Sequence, residues 1–120
     1  MADSMFRMDD DVFRHAADAT LDRIGLALDA ALETSGAEFD WELADGVLTI
    51  ICDDESRIIV NRHVPNREIW VAAKSGGHHF RAQGGHWRDT RTGDELGSVL
   101  VRLVKTQARA VAPMPELPAP

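Results

Sequence analysis

Residues 59–77 read Ile-Val-Asn-Arg-His-Val-Pro-Asn-Arg-Glu-Ile-Trp-Val-Ala-Ala-Lys-Ser-Gly-Gly, and this stretch holds the clearest structural pattern of the chain. Two apolar runs, Ile58–Val60 and Ile69–Ala73, flank a polar connector that contains Pro65 and Asn66. Apolar runs separated by residues that favour turns are typical of a β-hairpin. The stretch therefore predicts a strand, a turn and a second strand.

Trp70 is the most informative side chain of this hairpin. Side chains alternate along a strand, so Trp70 lies on the opposite side from Ile69 and Val71. If those two residues face the core, the indole faces out. An exposed tryptophan among polar residues indicates a protein contact more often than a catalytic site. The polar residues expected beside it are Asn61, Arg62 and Arg67.

The rest of the chain extends this pattern to a helix, a run of strands and a second helix. Helical spacing over residues 10–34 predicts a buried stripe of Phe13, Ala17, Leu21, Ile24, Leu28 and Leu32. Strands are predicted over 39–43, 47–52, 57–61, 68–73 and 79–83 and around Trp87, with turns at Gly76-Gly77 and Gly84-Gly85. Thr92 and Glu95 have the spacing of a capping box, which would open the last helix. This order predicts an α+β fold, a two-layer sandwich with the N- and C-terminal helices on one face of an antiparallel sheet of five to six strands.

The length of 120 residues suits one domain with one core. We assign residues 1–9 to an N-terminal extension, 10–110 to the domain and 111–120, with four prolines, to a tail that its composition predicts to be disordered. No apolar run approaches the ~20 residues that span a bilayer. The N-terminus has the features of neither a secretory signal nor a transit peptide, and the single Cys52 excludes an internal disulfide. These features together predict a cytoplasmic protein without a membrane partner.

The charges are divided unevenly along the chain. Residues 1–56 hold 15 acidic and 3 basic side chains, a net charge of −12, whereas residues 57–120 hold 5 acidic and 10 basic ones, a net charge of +5. The acidic half would repel phosphates, so nucleic acid is not expected as the main partner. Cations or a basic protein surface would suit the acidic half, although acidic surfaces also serve solubility alone.

Carboxylates on the first predicted helix fall on one face. The stripe consists of Asp11, Asp18, Asp22, Asp29 and Glu33, with His15 on the same face. Their angular spread is only about 60°, because each residue turns the helix by about 100°. Like charges one turn apart repel, and no basic residue of the stripe relieves them. The stripe is either a solvated helix face or a surface for hard cations, which prefer carboxylate oxygens.

Other candidate residues carry weaker patterns. His78, His79 and His86 could line a metal site, but no cysteine or carboxylate has zinc-ligand spacing to them, so ordinary strand histidines are the simpler interpretation. Cys52 has no basic activator nearby in sequence and fits a strand residue better than a nucleophile. No constellation of residues indicates catalysis.

An ordered series of short motifs resembles the frataxin family, in particular its small bacterial branch. The series runs through Gly46–Ile50, Asn61-Arg62, Pro65-Asn66, Ile69–Val71 and Ser75–Gly77, within residues 10 to 108. The chain departs from the family at His63 and Glu68, where the family usually has glutamine. It also reads Gly25-Leu26 where bacterial relatives often have two glutamates.

The resemblance implies a function in iron–sulfur cluster assembly. It implies weak, reversible binding of iron (Fe²⁺ or Fe³⁺), no organic cofactor, and docking on a cysteine desulfurase and its scaffold protein, with a monomer that forms oligomers with iron. With the stripe included, the candidate metal ligands are Asp11, His15, Asp18, Asp22, Asp29, Glu33, Glu38 and Asp40. The candidate partner contacts are Asp18, Asp22, Asn61, Arg62 and Trp70.

Two other functions remain open at this point. One is an enzyme, a ferroxidase that oxidises Fe²⁺ and stores the product in oligomers. The other is an adaptor that recognises a basic protein without any metal. The expectation from the resemblance is an accessory protein that is not itself an enzyme.

Overall fold

The computed structural model describes residues 9–120, so the expected N-terminal extension lies outside the described residues except for Asp9. The order is one helix, six strands and a second helix, which confirms the α+β sandwich. Helix α1 is Asp10–Ser35; the strands are β1 Phe39–Ala44, β2 Val47–Cys52, β3 Arg57–His63, β4 Glu68–Ala73, β5 Gly76–Gln83 and β6 His86–Asp89; helix α2 is Leu96–Leu103 and continues into a π-helical turn, Val104–Ala108.

Helix α1 begins and ends at residues that favour those positions. The Asp9 side chain accepts a hydrogen bond of 2.8 Å from the Val12 backbone N–H, and two further acidic residues follow in the first turn. Carboxylates there satisfy free N–H groups and suit the helix dipole. The helix ends at Gly36, whose φ of 64° is costly for other residues. Its predicted stripe is buried, apart from the half-buried Leu32.

The sheet is an antiparallel meander in which the strands lie in chain order, β1 to β6. Alternation gives each strand one apolar face, and these faces are buried together with residues of both helices in a single core. Ile69 and Val71 of β4 are buried there, as predicted. Both helices therefore cover the same face of the sheet, and the other face carries no helix.

Trp87 of β6 connects α1 to the far end of the sheet. The side chain is 1% exposed, and its ring meets Phe13 edge-on with centroids 5.9 Å apart. Its indole Nε1 donates a hydrogen bond of 3.0 Å to the buried Thr20 hydroxyl. A buried indole N–H needs such a partner, so Thr20 is the polar residue that lets a tryptophan occupy this position.

The start of α2 differs from the predicted capping box. Glu95 is the N-cap, but its side chain makes no capping hydrogen bond and instead lies 3.4 Å from His86 Nδ1. The Thr92 hydroxyl accepts from the Asp94 N–H within the preceding turn. The Glu95 side chain therefore contacts His86 of β6 instead of capping α2.

The turn predicted at Gly76-Gly77 lies at residues 74–75 instead, because Gly76 and Gly77 already pair with β4 as part of β5.

Residues 111–120 differ from the expected disordered tail. Ala112 is fully buried and Leu117 is 9% exposed. The Ala119 N–H donates to the Gly85 carbonyl at 3.0 Å, and Arg23 of α1 donates to the Glu116 carbonyl at 3.2 Å. The prolines prevent regular structure, but the apolar residues between them still bury against the domain. We call residues 111–120 the C-terminal segment.

Within residues 9–120, none of the helices combines the length and the apolar character that crossing a membrane requires.

Candidate metal and partner surfaces

The carboxylate stripe of α1 lies on the surface, as its spacing predicts. Most of its members are exposed, and Asp18 is half-buried: the set is Asp11, His15, Asp18, Asp22, Asp29 and Glu33. We call these six residues the acidic ridge. Exposed carboxylates with free oxygens can attract hard cations or basic side chains without a preformed cage.

Basic residues from the sheet relieve part of this charge, which the sequence analysis did not foresee. Arg62 of β3 donates from Nη1 to Asp18 Oδ1 at 2.5 Å. Arg67, in the turn after β3, donates to Asp10 Oδ1 at 3.1 Å, next to the ridge. These cations are 44 and 57 residues away in sequence, so inspection of the helix alone could not reveal them.

A second ridge carboxylate, Asp29, is bound by a neutral donor. Trp41 of β1 donates from its indole Nε1 to Asp29 Oδ1 at 2.8 Å. The ring lies over Gly25, where an added Cβ would come within 2.6 Å of it. A glycine at this position of α1 thus makes room for the indole. A glutamate at position 25, as bacterial relatives often have, would clash with the Trp41 ring in this chain.

Glu38 and Asp40 are exposed but are not merged with the ridge. Glu38 lies just before β1 and Asp40 within it. Because Trp41 faces α1, alternation directs Asp40 to the face away from the helix. In the part of the chain that the structure describes, no three His, Cys, Asp or Glu side chains come together as a metal site. Any metal bound here meets an open surface of separate carboxylates.

Trp70 lies on the sheet face without helices, but it is not a free, protruding side chain. It is partly buried between two imidazoles, with ring centroids 3.6 Å from His63 and 4.3 Å from His79, both stacked. The expectation of a solvent-facing indole is therefore wrong in part. Both faces of the ring are covered, so a partner can reach its edge and the outer faces of the imidazoles. We call these three side chains the His–Trp–His stack.

Glu68 orients the central ring of this stack through a hydrogen bond from Trp70. Its carboxylate, 3% exposed, accepts hydrogen bonds from Trp70 Nε1 at 2.8 Å and from Arg81 Nη2 at 2.5 Å. Burial opposes ionisation, but the hydrogen bonds from Trp70 and Arg81 outweigh it and lower the pKa of Glu68. An ionised carboxylate thus fixes the indole orientation. The position of Glu68 two residues before Trp70 is the one indication of this role in the sequence.

Arg62 does not lie beside Trp70, so its expected place next to the indole is wrong. Asn61 pairs directly with Trp70 across β3 and β4, and Arg62 pairs with Ile69. Alternation then places Arg62 on the helix side, where it meets Asp18. Of these two expected neighbours, Asn61 shares a face with Trp70, whereas Arg62 contacts Asp18 of the acidic ridge.

His78 and His86 each lie against a carboxylate. His78 Nδ1 lies 3.1 Å from Asp89 Oδ2, and His86 Nδ1 lies 3.4 Å from Glu95 Oε2. Burial opposes ionisation of Asp89, yet backbone N–H donors led by Arg91, together with His78, lower its pKa. These contacts order the β5–β6 region and fit the interpretation as ordinary strand histidines.

Cys52 is a buried strand residue. Burial raises the pKa of its thiol, which opposes formation of the reactive thiolate. Close to it, Lys74 pairs with Asp54, and the Gln107 amide donates to the Ser56 hydroxyl at 3.0 Å. These bonds join the β2–β3 and β4–β5 turns to the π-helical turn after α2. The residues around Cys52 therefore stabilise the fold.

The fold and surface can be compared with known proteins. A family model described as a frataxin-like domain matches residues 6–110. The chain belongs to the frataxin family. It is 52% identical over 102 residues to the iron-sulfur cluster assembly protein CyaY of Dechloromonas aromatica, covering 84% of this chain and 93% of that protein. It is 43% identical over 93 residues to the CyaY protein of Vibrio cholerae, covering 78% of this chain and 86% of that one.

Solved frataxin structures share the architecture. The frataxin of Psychromonas ingrahamii superposes with a TM-score of 0.76 at 28% identity, over 91% of this chain and all of that one. The trimeric frataxin of Saccharomyces cerevisiae, complexed with ferrous iron, gives a TM-score of 0.69 at 29% identity, over 78% of this chain and 86% of that one. The two helices on one face of a six-stranded sheet are thus a frataxin fold.

Proposed function

We propose that this protein is an iron-binding accessory protein of iron–sulfur cluster assembly, acting in the bacterial cytoplasm. It docks on the cysteine desulfurase and scaffold complex and regulates cluster formation as an iron donor or sensor. The observation that carries the proposal is the exposed acidic ridge on a frataxin fold whose relatives are named for this assembly. In this proposal the chain binds and positions, and it carries out no reaction of its own.

The ridge suits weak binding of iron. Fe²⁺ and Fe³⁺ accept carboxylate oxygens, and Asp22 and Glu33 offer them at the surface. The separated carboxylates supply few ligands to any one ion, so water fills the remaining positions. Such binding is reversible, and it is sensitive to salt because the charges are exposed.

The two faces of the molecule suit two kinds of contact. The acidic ridge complements a basic surface, which steers association more than it adds affinity. The other sheet face presents the His–Trp–His stack with Asn61, a rigid platform of the kind that proteins use as an interface centre. We assign the ridge to the desulfurase and the stack to the desulfurase–scaffold contact.

A metal-independent adaptor is the second candidate. Asp18 and Asp29 are already bound within the chain, and no three-residue metal group exists in residues 9–120. A pull-down from the cytoplasm of the source bacterium, with and without ferrous iron, separates the two functions. Capture of the desulfurase under both conditions, with no metal bound by the pure protein, would favour the adaptor.

Titration with Mn²⁺, a redox-stable stand-in for Fe²⁺, tests the metal surface. We expect several ions to bind at micromolar or weaker affinity, on the order of −8 kcal/mol or less favourable per ion. In an amide NMR spectrum, broadening should centre on the ridge, with Asp29 and Glu33 affected first, and should extend to the exposed Glu38 and Asp40. Broadening centred on His78 and His86 would show that the metal surface has been assigned wrongly.

Reversing two ridge charges tests docking. Asp18→Lys combined with Asp22→Lys should slow association with the desulfurase roughly tenfold at low salt and weaken its dependence on salt. The matched control is Asp53→Lys combined with Glu55→Lys, an equal change of charge in the exposed turn between β2 and β3. Stopped-flow association rates at several salt concentrations give the comparison. Equal rates in the two double variants would remove the ridge from the interface.

A further inference from the structure

Arg14 Nη1 lies 3.8 Å from Asp11 Oδ1 at the start of the acidic ridge. Closer to its middle, the ridge holds a second cation, the guanidinium of Arg62. Its Nη1 lies 2.5 Å from Asp18 Oδ1, and its side chain is 19% exposed, so the group is held within the structure. Asp18 remains 47% exposed on the outer side. A charge-assisted hydrogen bond of this kind is stronger than a neutral one.

The fold fixes the route of the Arg62 side chain. Arg62 pairs with Ile69, whose side chain is buried on the helix side, so alternation directs the arginine toward α1. It passes over Gly46, where an added Cβ would come within 2.5 Å of Nε. Gly46 has a φ of 76°, so a side chain there would also strain the backbone. The turn between β1 and β2 thus keeps a path open for the guanidinium.

The bound carboxylate belongs to one of two close pairs on the ridge. Asp18 and Asp22 are four residues apart, as are Asp29 and Glu33, so each pair is adjacent on the helix surface. A positive charge is fixed at the first pair, whereas Asp29 of the second pair meets the neutral Trp41 donor. A cation approaching the first pair therefore meets repulsion and a carboxylate that is already bound.

We propose that Arg62 is a built-in competitor for metal at Asp18 and Asp22, so that a divalent ion binds this pair only by displacing the guanidinium. The inference rests on the proposed metal function of the ridge. It assigns the first metal to the Asp29 and Glu33 pair. Arg62 then sets the metal concentration at which the middle of the ridge becomes occupied.

The test compares Mn²⁺ binding to the full chain and to Arg62→Gln, by calorimetry and by amide broadening. Removing one positive charge close to a divalent ion at the surface should tighten binding at Asp18 and Asp22 by roughly tenfold. Broadening at these two residues should then appear at a correspondingly lower Mn²⁺ concentration. Arg62→Met, which keeps the packed aliphatic stem, provides a second variant if the glutamine variant is poorly folded.

Arg67→Gln is the matched control, because it removes an arginine that binds Asp10, about two helical turns from Asp18. Its Mn²⁺ affinity at Asp18 should match that of the unchanged chain. Equal affinities in the unchanged chain and both Arg62 variants, with binding on the ridge, overturn this inference alone. No Mn²⁺ binding in any variant overturns the metal function as well. Binding that appears only without Arg62 supports the competition and excludes metal from the middle of the ridge in the unchanged chain.

Discussion

A chain that ends at Ala110 should unfold about 10–15 °C below the full chain, since a domain of this size loses a few degrees per kcal/mol. The C-terminal segment contributes Ala112, Leu117 and two backbone contacts to the folded domain. Burial of the Ala112 and Leu117 side chains corresponds to about 3 kcal/mol of unfolding free energy. Thermal unfolding followed by circular dichroism measures the difference.

Two point variants separate the role of burial from that of chain length. Leu117→Ala should reproduce a large part of the loss, whereas Val111→Ala, at a position 61% exposed, should change the melting temperature little. If the truncated chain melts with the full one, the segment behaves as the disordered tail that its prolines suggest.

Replacing Trp70 with alanine should lower both stability and partner binding. Two ring stacks and the hydrogen bond to Glu68 are lost, which costs about 2 kcal/mol of unfolding free energy. As the centre of a proposed interface, Trp70 should also contribute about 2 kcal/mol to binding, so affinity for the desulfurase–scaffold complex falls roughly 30-fold. Calorimetric melting and binding measured on one preparation give both values.

Trp70→Phe provides the matched comparison, because it keeps an aromatic ring between His63 and His79 and removes the donor to Glu68. It should retain more of the stability than the alanine variant does. A fall in stability without any change in affinity would take Trp70 out of the interface. A loss of ~3–5 kcal/mol or more would indicate a tryptophan packed as in the core.

Most of the fold follows from periodicity alone. The alternation of Ile69, Trp70 and Val71 predicted which side of β4 faces the helices, and the structure confirms it. The spacing of Phe13 to Leu28 likewise predicted the buried face of α1. Such patterns work because burial of apolar side chains is the dominant local constraint on both element types.

The polar contacts could be predicted only in part, because they join residues that are distant in sequence. From the sequence, Arg62 was expected beside Trp70, although the residue shares a face with the buried Ile58 and Val60 of β3. Only the packing of α1 on β3 brings it to Asp18. The burial of Glu68 depends on Arg81, which lies 13 residues away on β5. The proline content of the C-terminal segment was misleading, since proline limits hydrogen bonding but does not prevent Leu117 from packing.

The sheet order also determines how the domain is completed during synthesis. Every strand pairs only with its neighbours in the chain, so each hairpin can form soon after its residues are made. The inner side of β6 lacks part of its cover until α2 and the C-terminal segment follow, within a few seconds at ordinary rates of translation. The nascent chain thus carries an uncovered apolar surface until residues 96–119 have been made.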